Sequence, residues 1–179
     1  MNSKKILKND EISAIIDSLS KKIYEDIKNI ERFAIVGIQA SGVELANRIR
    51  HNIESYSGRD IRHGTLDITF YRDDLSTRGI LPVIKETRIE FNIAQMVILL
   101  VDDVIFTGRT TKAALETLMS FGRPSMIKLF CLVDRGNREI PIQPDYCGYT
   151  LSTDPKDRVN VIISTENREE DSVVLEQDK

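Results

Sequence analysis

Residues 97–111 read VILLVDDVIFTGRTT. Five apolar residues lead without alternation into Asp102 and Asp103, a short apolar patch follows, and TGRTT ends the stretch. A continuous apolar run of this length is typical of a strand buried on both faces of a parallel sheet. Because adjacent carboxylates repel each other and resist burial, we expect a ligand at the end of this strand to compensate for them.

The TGRTT segment, residues 107–111, supplies three hydroxyls, one guanidinium and a glycine where a helix is predicted to begin. Backbone N–H groups and the helix dipole favour an anion at such a position, and a phosphate monoester matches these donors. The GxxxxGK[ST] spacing of a P-loop is absent. An ordinary helix start, with Thr107 as the capping residue and Arg109 in solvent, is the alternative for this segment by itself.

Asp102 and Asp103 narrow the choice of ligand. Paired carboxylates at a strand end either bind a metal ion or accept hydrogen bonds from the neighbouring hydroxyls of a sugar. Mg²⁺ often uses one or two carboxylates together with substrate phosphates, so a metal site stays open. A phosphate site just beyond the pair favours one ligand that carries both a diol and a phosphate, and ribose 5-phosphate has this arrangement.

Apolar strands and amphipathic helices surround this stretch. We predict helices at 10–30, 43–53 and 109–121 and strands at 33–37, 65–71, 96–101 and 127–133, with a loop excursion at 72–88. This order predicts an α/β fold, a parallel twisted sheet flanked by helices, with a small appended subdomain in the final third. Three loops that follow predicted strands, GIQASG, DDVIFTGRTT and DRGNRE, are expected to converge at the carboxyl edge, where parallel sheets bind ligands.

Composition excludes several other classes of protein. The 179 residues are 41% hydrophobic and 30% charged, which fits one soluble domain. No apolar run reaches the ~20 residues of a membrane span, and no apolar signal region follows the basic N-terminus, so we expect a cytoplasmic protein. Two cysteines cannot form a disulfide framework or a four-thiolate zinc site, and the net charge of −3 shows no overall basic footprint for nucleic acid.

The opening stretch and several other segments of the chain resemble a known family of proteins. VILLVDDVIFTGRT resembles the phosphoribosyl-pyrophosphate (PRPP) signature of type I phosphoribosyltransferases. LDITFYRDDLS (66–76), TRIEF (87–91), FGRPSMIKLFCLVDRGNREIPI (121–142) and DYCGY (145–149) are similar, in the same order, to the PyrR family of pyrimidine operon regulators. The resemblance implies the type I phosphoribosyltransferase fold in one domain over residues 1–165, with a hood subdomain from the N-terminal region and residues 134–160. Residues 166–179 are rich in acids and are expected to be a solvated tail.

The resemblance also implies a role for each part of the site. Asp102 and Asp103 would bind the ribose hydroxyls of PRPP and, with Arg72 and Asp73 of a loop that closes over PRPP, are the predicted catalytic residues. The predicted PRPP-binding residues are Val101, Asp102, Asp103, Val104, Ile105, Phe106, Thr107, Gly108, Arg109, Thr110 and Thr111. The predicted pyrophosphate loop consists of Gln39, Ala40, Ser41 and Gly42, and the predicted base or nucleotide contacts are Val133, Asp134, Arg135, Arg88 and Val159.

The implied activity is transfer of ribose 5-phosphate from PRPP to uracil, which gives UMP and pyrophosphate, with Mg²⁺ bound mainly through PRPP. Such a reaction needs no protein nucleophile, because positioned charges and dipoles stabilise the oxocarbenium-like sugar. The resemblance further implies a homo-oligomer and UMP-promoted binding to the leader mRNA of the pyrimidine operon. The candidate RNA contacts are Lys21, Lys22 and Arg138.

Two departures from the family pattern leave alternatives open. Ala40 and Ser41 stand where relatives usually carry Thr-Arg, and loss of that arginine removes a charge-assisted anchor of about 1.5–3 kcal/mol. Asn137, Gln143 and Tyr149 stand where cations are common, and each lost cation removes a phosphate contact. The alternatives are a nucleotide-sensing regulator with little catalysis and an enzyme that has lost RNA binding. A purine-specific enzyme is disfavoured, because the DRGNREIPI segment that borders the base is retained.

Overall fold

The computed structural model describes residues 2–68 and 86–177. Within these ranges the strands are β1 (Asn2–Lys8), β2 (Phe33–Ile38), β3 (Arg62–Leu66), β4 (Val97–Ile105), β5 (Met126–Asp134), β6 (Tyr146–Thr150), β7 (Arg158–Ile162) and β8 (Ser172–Gln177). The α-helices are α1 (Asn9–Ile27), α2 (Ser41–Ser57) and α3 (Arg109–Ser120), and a short 3₁₀ helix spans Arg168–Glu170. The predicted alternation of strands and helices is confirmed in these ranges.

A parallel sheet of five strands, in the order β3-β2-β4-β5-β6, forms the centre of the described chain. β4 lies in the middle of the sheet, and its apolar run is buried on both faces. Leu99 and Val101 belong to one core cluster, whereas Ile98 and Leu100 belong to the other. The prediction of a parallel sheet covered on both faces is therefore confirmed.

Helices cover both faces of the parallel sheet. α1 buries Ile12, Ile16 and Ile23 against one face, where it lies beside α2. α3 covers the other face through Ala114 and Leu118. Since apolar residues at helical spacing mark all three helices, their amphipathic patterns were sufficient to predict them. None of the helices in the described ranges has the length and apolar character that a membrane span needs.

A second, antiparallel sheet has the strand order β1-β8-β7, and we call it the hood sheet. The predicted hood drew on the N-terminal region and residues 134–160, and β1 and β7 come from those regions. β6 does not join this sheet, because it pairs in parallel with β5 at the edge of the main sheet. The strand β1 was not predicted, since its sequence NSKKILK carries three lysines and little apolar alternation.

The C-terminal segment is not the solvated tail that its acidic composition predicts. β8 is the central strand of the hood sheet, and Ser172 and Val173 are buried in it. Asp171, just before the strand, is also buried and pairs with Arg48 of α2. The apolar run at 173–175 is the sequence signal for this strand. The prediction gave more weight to the acidic residues of the segment 166–179 and therefore missed it.

β4 and α2 extend beyond their predicted bounds, and both differences change the secondary structure in which site residues lie. β4 continues to Ile105 instead of ending at Val101, because Val104 and Ile105 still pair with β5. Asp102 and Asp103 therefore lie inside a strand and not in a loop. α2 begins at Ser41, so the second half of the predicted pyrophosphate loop is the first turn of a helix.

The structure describes only part of residues 65–88, for which a strand (65–71) and a loop excursion (72–88) are predicted. β3 begins before the predicted strand at 65–71, and residues 69–85 lie outside the described residues. Arg72 and Asp73 fall in that range. Residues 86–88 are the described part of the predicted loop. Arg88 forms an isolated antiparallel bridge with Thr65 of β3.

Candidate active site

The carboxyl ends of β2, β4 and β5 meet at one cleft, as expected for ligand binding at the edge of a parallel sheet. The cleft has a volume of about 520 Å³. It brings together most of the predicted PRPP-binding stretch, part of the predicted pyrophosphate loop and two predicted base contacts. Its lining residues are Gln39, Ala40, Ser41, Asp102, Asp103, Val104, Ile105, Phe106, Thr107, Gly108, Arg109, Thr110, Thr111, Arg135 and Val159.

The paired carboxylates lie at the wall of the cleft near the end of β4. Asp102 is 4% exposed, and one of its oxygens, Oδ1, accepts a hydrogen bond from the Asp103 backbone N–H (3.0 Å). Asp103 is half-buried, and its Oδ1 accepts from the Val104 N–H (2.7 Å). These short-range bonds orient both side chains before any ligand arrives, so the pair forms a prearranged acceptor for hydroxyl groups.

The start of α3 forms the second wall. Gly108 precedes the helix with a φ of 91°, and a Cβ at this position would lie 3.2 Å from the Ile140 carbonyl oxygen. The Thr107 carbonyl accepts from the N–H groups of Glu139 (2.9 Å) and Ile140 (3.0 Å), which ties the loop to the segment after β5. The first helical turn contains no acid, and N–H groups at a helix start lack intrahelical acceptors, so this wall favours an anion.

The arginine of the TGRTT segment has a protein partner. Arg109 Nε donates to Glu139 Oε2 at 2.6 Å, and both side chains are about half exposed. The Thr107 Oγ1 accepts from the Arg109 backbone N–H (3.3 Å). The backbone and hydroxyl groups of this segment are therefore the groups most directly placed to bind a phosphate, and the Arg109 charge is partly neutralised by Glu139.

The start of α2 forms the third wall, opposite α3. A Cβ on Gly42 would lie 2.6 Å from the Val101 carbonyl oxygen, so only glycine lets α2 approach β4 this closely. The peptide bond between Gln39 and Ala40 is cis, and the Gln39 N–H donates to the Leu66 carbonyl (3.0 Å). Residues 39–42 contain no basic side chain, so an anion bound here depends on backbone N–H groups and the helix dipole.

Arg135 and Phe106 close the remaining side. Arg135 is 6% exposed, and its guanidinium carbon lies 3.9 Å from the centre of the Phe106 ring. Its Nε donates to Thr153 Oγ1 and its Nη2 to the Asp154 carbonyl, both at 3.0 Å. Burial lowers the pKa of Arg135, and the Asp157 carboxylate opposes that effect. The result is a wall in which the Arg135 guanidinium stacks on the Phe106 ring and is itself held by the segment before β7.

Comparisons with known proteins identify this arrangement. The sequence model of the phosphoribosyl transferase domain matches residues 2–166. Bifunctional protein PyrR from Caldicellulosiruptor bescii is 46% identical over 174 residues, which cover 97% of this chain and 95% of that protein. Bifunctional protein PyrR from Clostridioides difficile is 42% identical over 166 residues, 93% of each chain. This chain belongs to the PyrR family of phosphoribosyltransferases.

Solved structures extend the fold comparison beyond the PyrR family. Hypoxanthine phosphoribosyltransferase from Trypanosoma cruzi superposes with a TM-score of 0.73 at 16% identity, over 98% of this chain and 97% of that chain. The Staphylococcus aureus hypoxanthine phosphoribosyltransferase gives a TM-score of 0.64 at 21% identity, over 84% and 79% of the two chains. The architecture is the type I phosphoribosyltransferase fold, as the opening stretch predicted.

Some predicted site residues lie away from the cleft lining. Val101 and Val133 are fully buried in the core, so any contact with a PyrR ligand would come from their backbone. Asp134 binds Arg138 at 2.7 Å instead of facing the cleft. Arg88 is exposed and lines a separate groove of about 240 Å³ together with His63, Gly64, Thr65 and Glu90.

The three candidate RNA contacts differ in exposure. Lys21 and Lys22 are exposed on α1, and the Lys22 Nζ lies 5.8 Å from the centre of the Tyr146 ring. Arg138 is instead 13% exposed at its side chain. Its guanidinium donates to the carbonyls of Phe106 and Ile142 (both 2.8 Å) and to Asp134. Arg138 therefore holds the loop after β5 in place. Because its guanidinium nitrogens already donate to protein groups, few of its N–H donors remain for an RNA phosphate.

Several residues of the site were not predicted. Thr153 and Asp154, which hold Arg135, lie in STDPKDR, a polar segment whose only sequence signal is a turn. Arg48 and Asp171, which join α2 to the hood sheet, are far apart in sequence. Local periodicity carries no information on such pairs, because their partners are set by the tertiary fold.

The residues present fit a magnesium ion that arrives with its substrate. In residues 2–68 and 86–177, no three His, Cys, Asp or Glu side chains are grouped so that they could hold a metal ion. Asp102 and Asp103 nevertheless offer hard oxygen ligands beside the anion-binding wall. One or two carboxylates with substrate phosphates are a common magnesium environment, and this donor set matches it.

Proposed function

We propose that this PyrR-family chain is a uracil phosphoribosyltransferase that also regulates pyrimidine operon expression by binding the operon's leader mRNA in response to UMP and PRPP. The observation that carries the catalytic half is the cleft, in which Asp102 and Asp103 lie between two helix starts. A hydroxyl-binding pair flanked by two anion-binding walls matches a ribose with a phosphate at one end and a pyrophosphate at the other.

In the proposed reaction, N1 of uracil attacks C1 of PRPP. The bond from C1 to N1 forms, the bond from C1 to the pyrophosphate oxygen breaks with its electron pair, and the N1 proton is released. We assign the ribose hydroxyls to Asp102 and Asp103, whose negative charge would stabilise the cationic sugar. The start of α3, from Thr107 to Thr111, would hold the 5-phosphate, and the start of α2 would hold the pyrophosphate.

Water must be excluded while the activated sugar is exposed. We propose that the segment containing Arg72 and Asp73, which lies outside the described residues, closes over PRPP and contributes those side chains to the site. Asp102 and Asp103, together with PRPP, would hold Mg²⁺, which would supply positive charge to the pyrophosphate leaving group. The remaining contribution of the chain is to position the sugar between its two anion sites.

The base would bind next to the wall formed by Phe106 and Arg135. Phe106 offers an aromatic face, and Arg135 is held by Thr153 and Asp154, so the wall can orient a planar ring. Backbone groups of Val133, Asp134 and Arg135 are the proposed partners for the polar edge of uracil. Val159, from β7, closes the cleft on the hood side.

The regulatory half rests on the curated relatives, which are named bifunctional PyrR proteins. We assign RNA contacts to exposed lysines of α1, Lys21 and Lys22, and propose a homo-oligomer that acts in the cytoplasm. A second candidate is a nucleotide-sensing regulator with little catalysis. The absence of a cation among residues 39–42 favours it, because the pyrophosphate anchor is weaker without one.

Turnover with several bases tests the catalytic proposal. The chain is incubated with PRPP, Mg²⁺ and either uracil, cytosine, hypoxanthine or guanine, and nucleotide products are separated by chromatography. We expect UMP with uracil and little product with the purines. Bound PRPP without any UMP would contradict the enzyme and favour the sensing regulator, and a purine nucleotide as the main product would contradict the base assignment.

A further inference from the structure

A buried ion pair joins α2 to the connection between β7 and β8. The side chain of Arg48 is 6% exposed and that of Asp171 is fully buried, and both guanidinium Nη atoms of Arg48 donate to the Asp171 carboxylate. Arg48 also donates to the Ser164 carbonyl (2.7 Å) and to Glu44 (3.1 Å). Burial lowers the pKa of Arg48, but the hydrogen bonds to Asp171 and Glu44 outweigh it and leave the pKa raised, so the guanidinium is charged.

The same face of α2 has a second attachment nearer the cleft. Ser41, the first residue of the helix, donates its hydroxyl to the Val161 carbonyl of β7 (3.3 Å). Ser41 and Arg48 are two helical turns apart, so they lie on one face and about 10 Å apart along the axis. β7 and the connection that follows it therefore hold α2 at two points, and two points define the direction of the helix as well as its position.

The other side of α2 is packed against the main sheet without spare room. A Cβ on Gly42 would lie 2.6 Å from the Val101 carbonyl oxygen, and a Cβ on Gly37 would lie 2.6 Å from Val43 Cα. The start of α2 is thus enclosed by β2 and β4 on one side and by β7 on the other. A change in the hood attachment would be transmitted to the N–H groups at the helix start.

We propose that Arg48 and Asp171 are positioning residues for the pyrophosphate end of the cleft. This inference rests on the proposed function, and it adds residues that touch no substrate atom. Because residues 39–42 carry no cation, binding of the pyrophosphate depends on where the backbone N–H groups of α2 point. The ion pair keeps those groups aimed at the cleft by fixing α2 to the hood sheet.

The test compares ligands that do and do not occupy the pyrophosphate end. The main variant is Arg48→Met with Asp171→Leu, since replacing both partners of a buried pair by apolar residues usually preserves folding. The affinities for PRPP with Mg²⁺ and for UMP are measured by calorimetry, and thermal unfolding checks the fold. We expect PRPP binding to weaken on the order of 10-fold to 100-fold, with KM for PRPP rising more than kcat falls, while UMP affinity stays close to that of the unmodified chain.

Asp171→Asn is the second variant, because it keeps the side-chain shape and an acceptor for the Ser164 N–H (2.8 Å) while it removes the charge. The same selective loss, of smaller size, is expected from it. The matched control is Arg50→Met with Glu54→Gln, an ion pair on α2 at 3.0 Å between residues four apart, both on the same helix. This control should bind PRPP as the unmodified chain does.

The outcomes separate this inference from the proposed function. Unchanged PRPP affinity in a folded variant, or equal weakening of PRPP and UMP, would overturn the positioning role. If the unmodified chain binds PRPP but forms no UMP, the proposed activity fails and the selective loss of PRPP affinity still decides the inference. Absence of PRPP binding by the unmodified chain would overturn both.

Discussion

Single arginines around the cleft bind protein groups before they meet a ligand. Arg109 pairs with Glu139, Arg135 is held by the segment before β7, and Arg138 braces the loop after β5. The presence of a charged residue in a motif therefore does not by itself show that the residue binds a ligand. The TGRTT motif together with Asp102 and Asp103 predicts an anion site, but the pairing of Arg109 with Glu139 depends on contacts that no local pattern contains. The proposed anion site would consequently rely on N–H and hydroxyl groups more than on guanidinium charge.

The two cysteines, which play no part in the proposed reaction, provide a residue-level prediction about pH. Cys131 and Cys147 are register partners on β5 and β6; Cys131 is buried and Cys147 is partly exposed. Their hydrogen bond is the largest cause of a lowered pKa at Cys147, where it outweighs burial, and of a raised pKa at Cys131. Since the Cys147 thiolate forms as pH rises through a lowered pKa, iodoacetamide should label Cys147 with a midpoint below about 8.5, the value of a free thiol.

Mass spectrometry of peptides labelled over a pH series checks this expectation. Cys131 should stay unlabelled in the folded protein. Cys131→Ala removes the hydrogen bond, so it should move the Cys147 midpoint upward. A Cys147 midpoint at or above about 8.5 in the unmodified chain would contradict the role of the paired thiols.

At the scale of elements, the helices and the central strands follow from local pattern, whereas the hood sheet does not. β4 and α3 carry strong apolar periodicity, so their sequence was sufficient. β1 and β8 are short, and each gains its stability by pairing with a strand at the opposite end of the chain. The acidic residues near β8 predict a solvated segment. In the structure Asp171, just before β8, is buried and binds Arg48 of α2.

Deletion of residues 166–179 tests the structural role of β8. It removes the central strand of the hood sheet and leaves Arg48 buried without Asp171. Breaking a buried pair costs about 3–5 kcal/mol, and each kcal/mol shifts Tm by about 2–4 °C at this chain length, so Tm should fall by at least about 6 °C. Calorimetry measures the shift. The control is Glu169→Gln with Glu170→Gln, which removes exposed acids and should leave Tm nearly unchanged; an unchanged Tm in the deletion would contradict the account of β8.

At the scale of the whole molecule, charge is the feature that limits the regulatory proposal. The net charge is −3, so attraction to RNA must come from a local surface and not from the chain as a whole. The exposed lysines of α1, Lys21 and Lys22, are the proposed surface, whereas the guanidinium of Arg138 is already bonded to protein groups. The three cations stay a prediction as RNA contacts, and the difference in exposure between the lysines and Arg138 could not be read from the sequence, because it depends on the fold.

Salt dependence of RNA binding tests this surface. Lys21→Glu with Lys22→Glu should weaken binding to a pyrimidine-operon leader RNA in the presence of UMP, and the slope of log K against log salt should become shallower by roughly 0.7–0.9 per lost phosphate contact. Filter binding over a salt series measures it. Lys4→Glu with Lys5→Glu, at the exposed edge strand β1, makes the same charge change elsewhere. Equal effects of the two variants would contradict a localised surface.

The cleft at the end of β4 is proposed to bind PRPP through its carboxylate pair. Calorimetric titration of PRPP with Mg²⁺ into the unmodified chain and into Asp102→Asn with Asp103→Asn tests it most directly, with thermal unfolding as the check on folding. Loss of two charge-assisted bonds of about 1.5–3 kcal/mol each should weaken PRPP binding by on the order of 100-fold or more. Equal PRPP affinity in the two folded proteins, or no PRPP binding by the unmodified chain, would contradict the account.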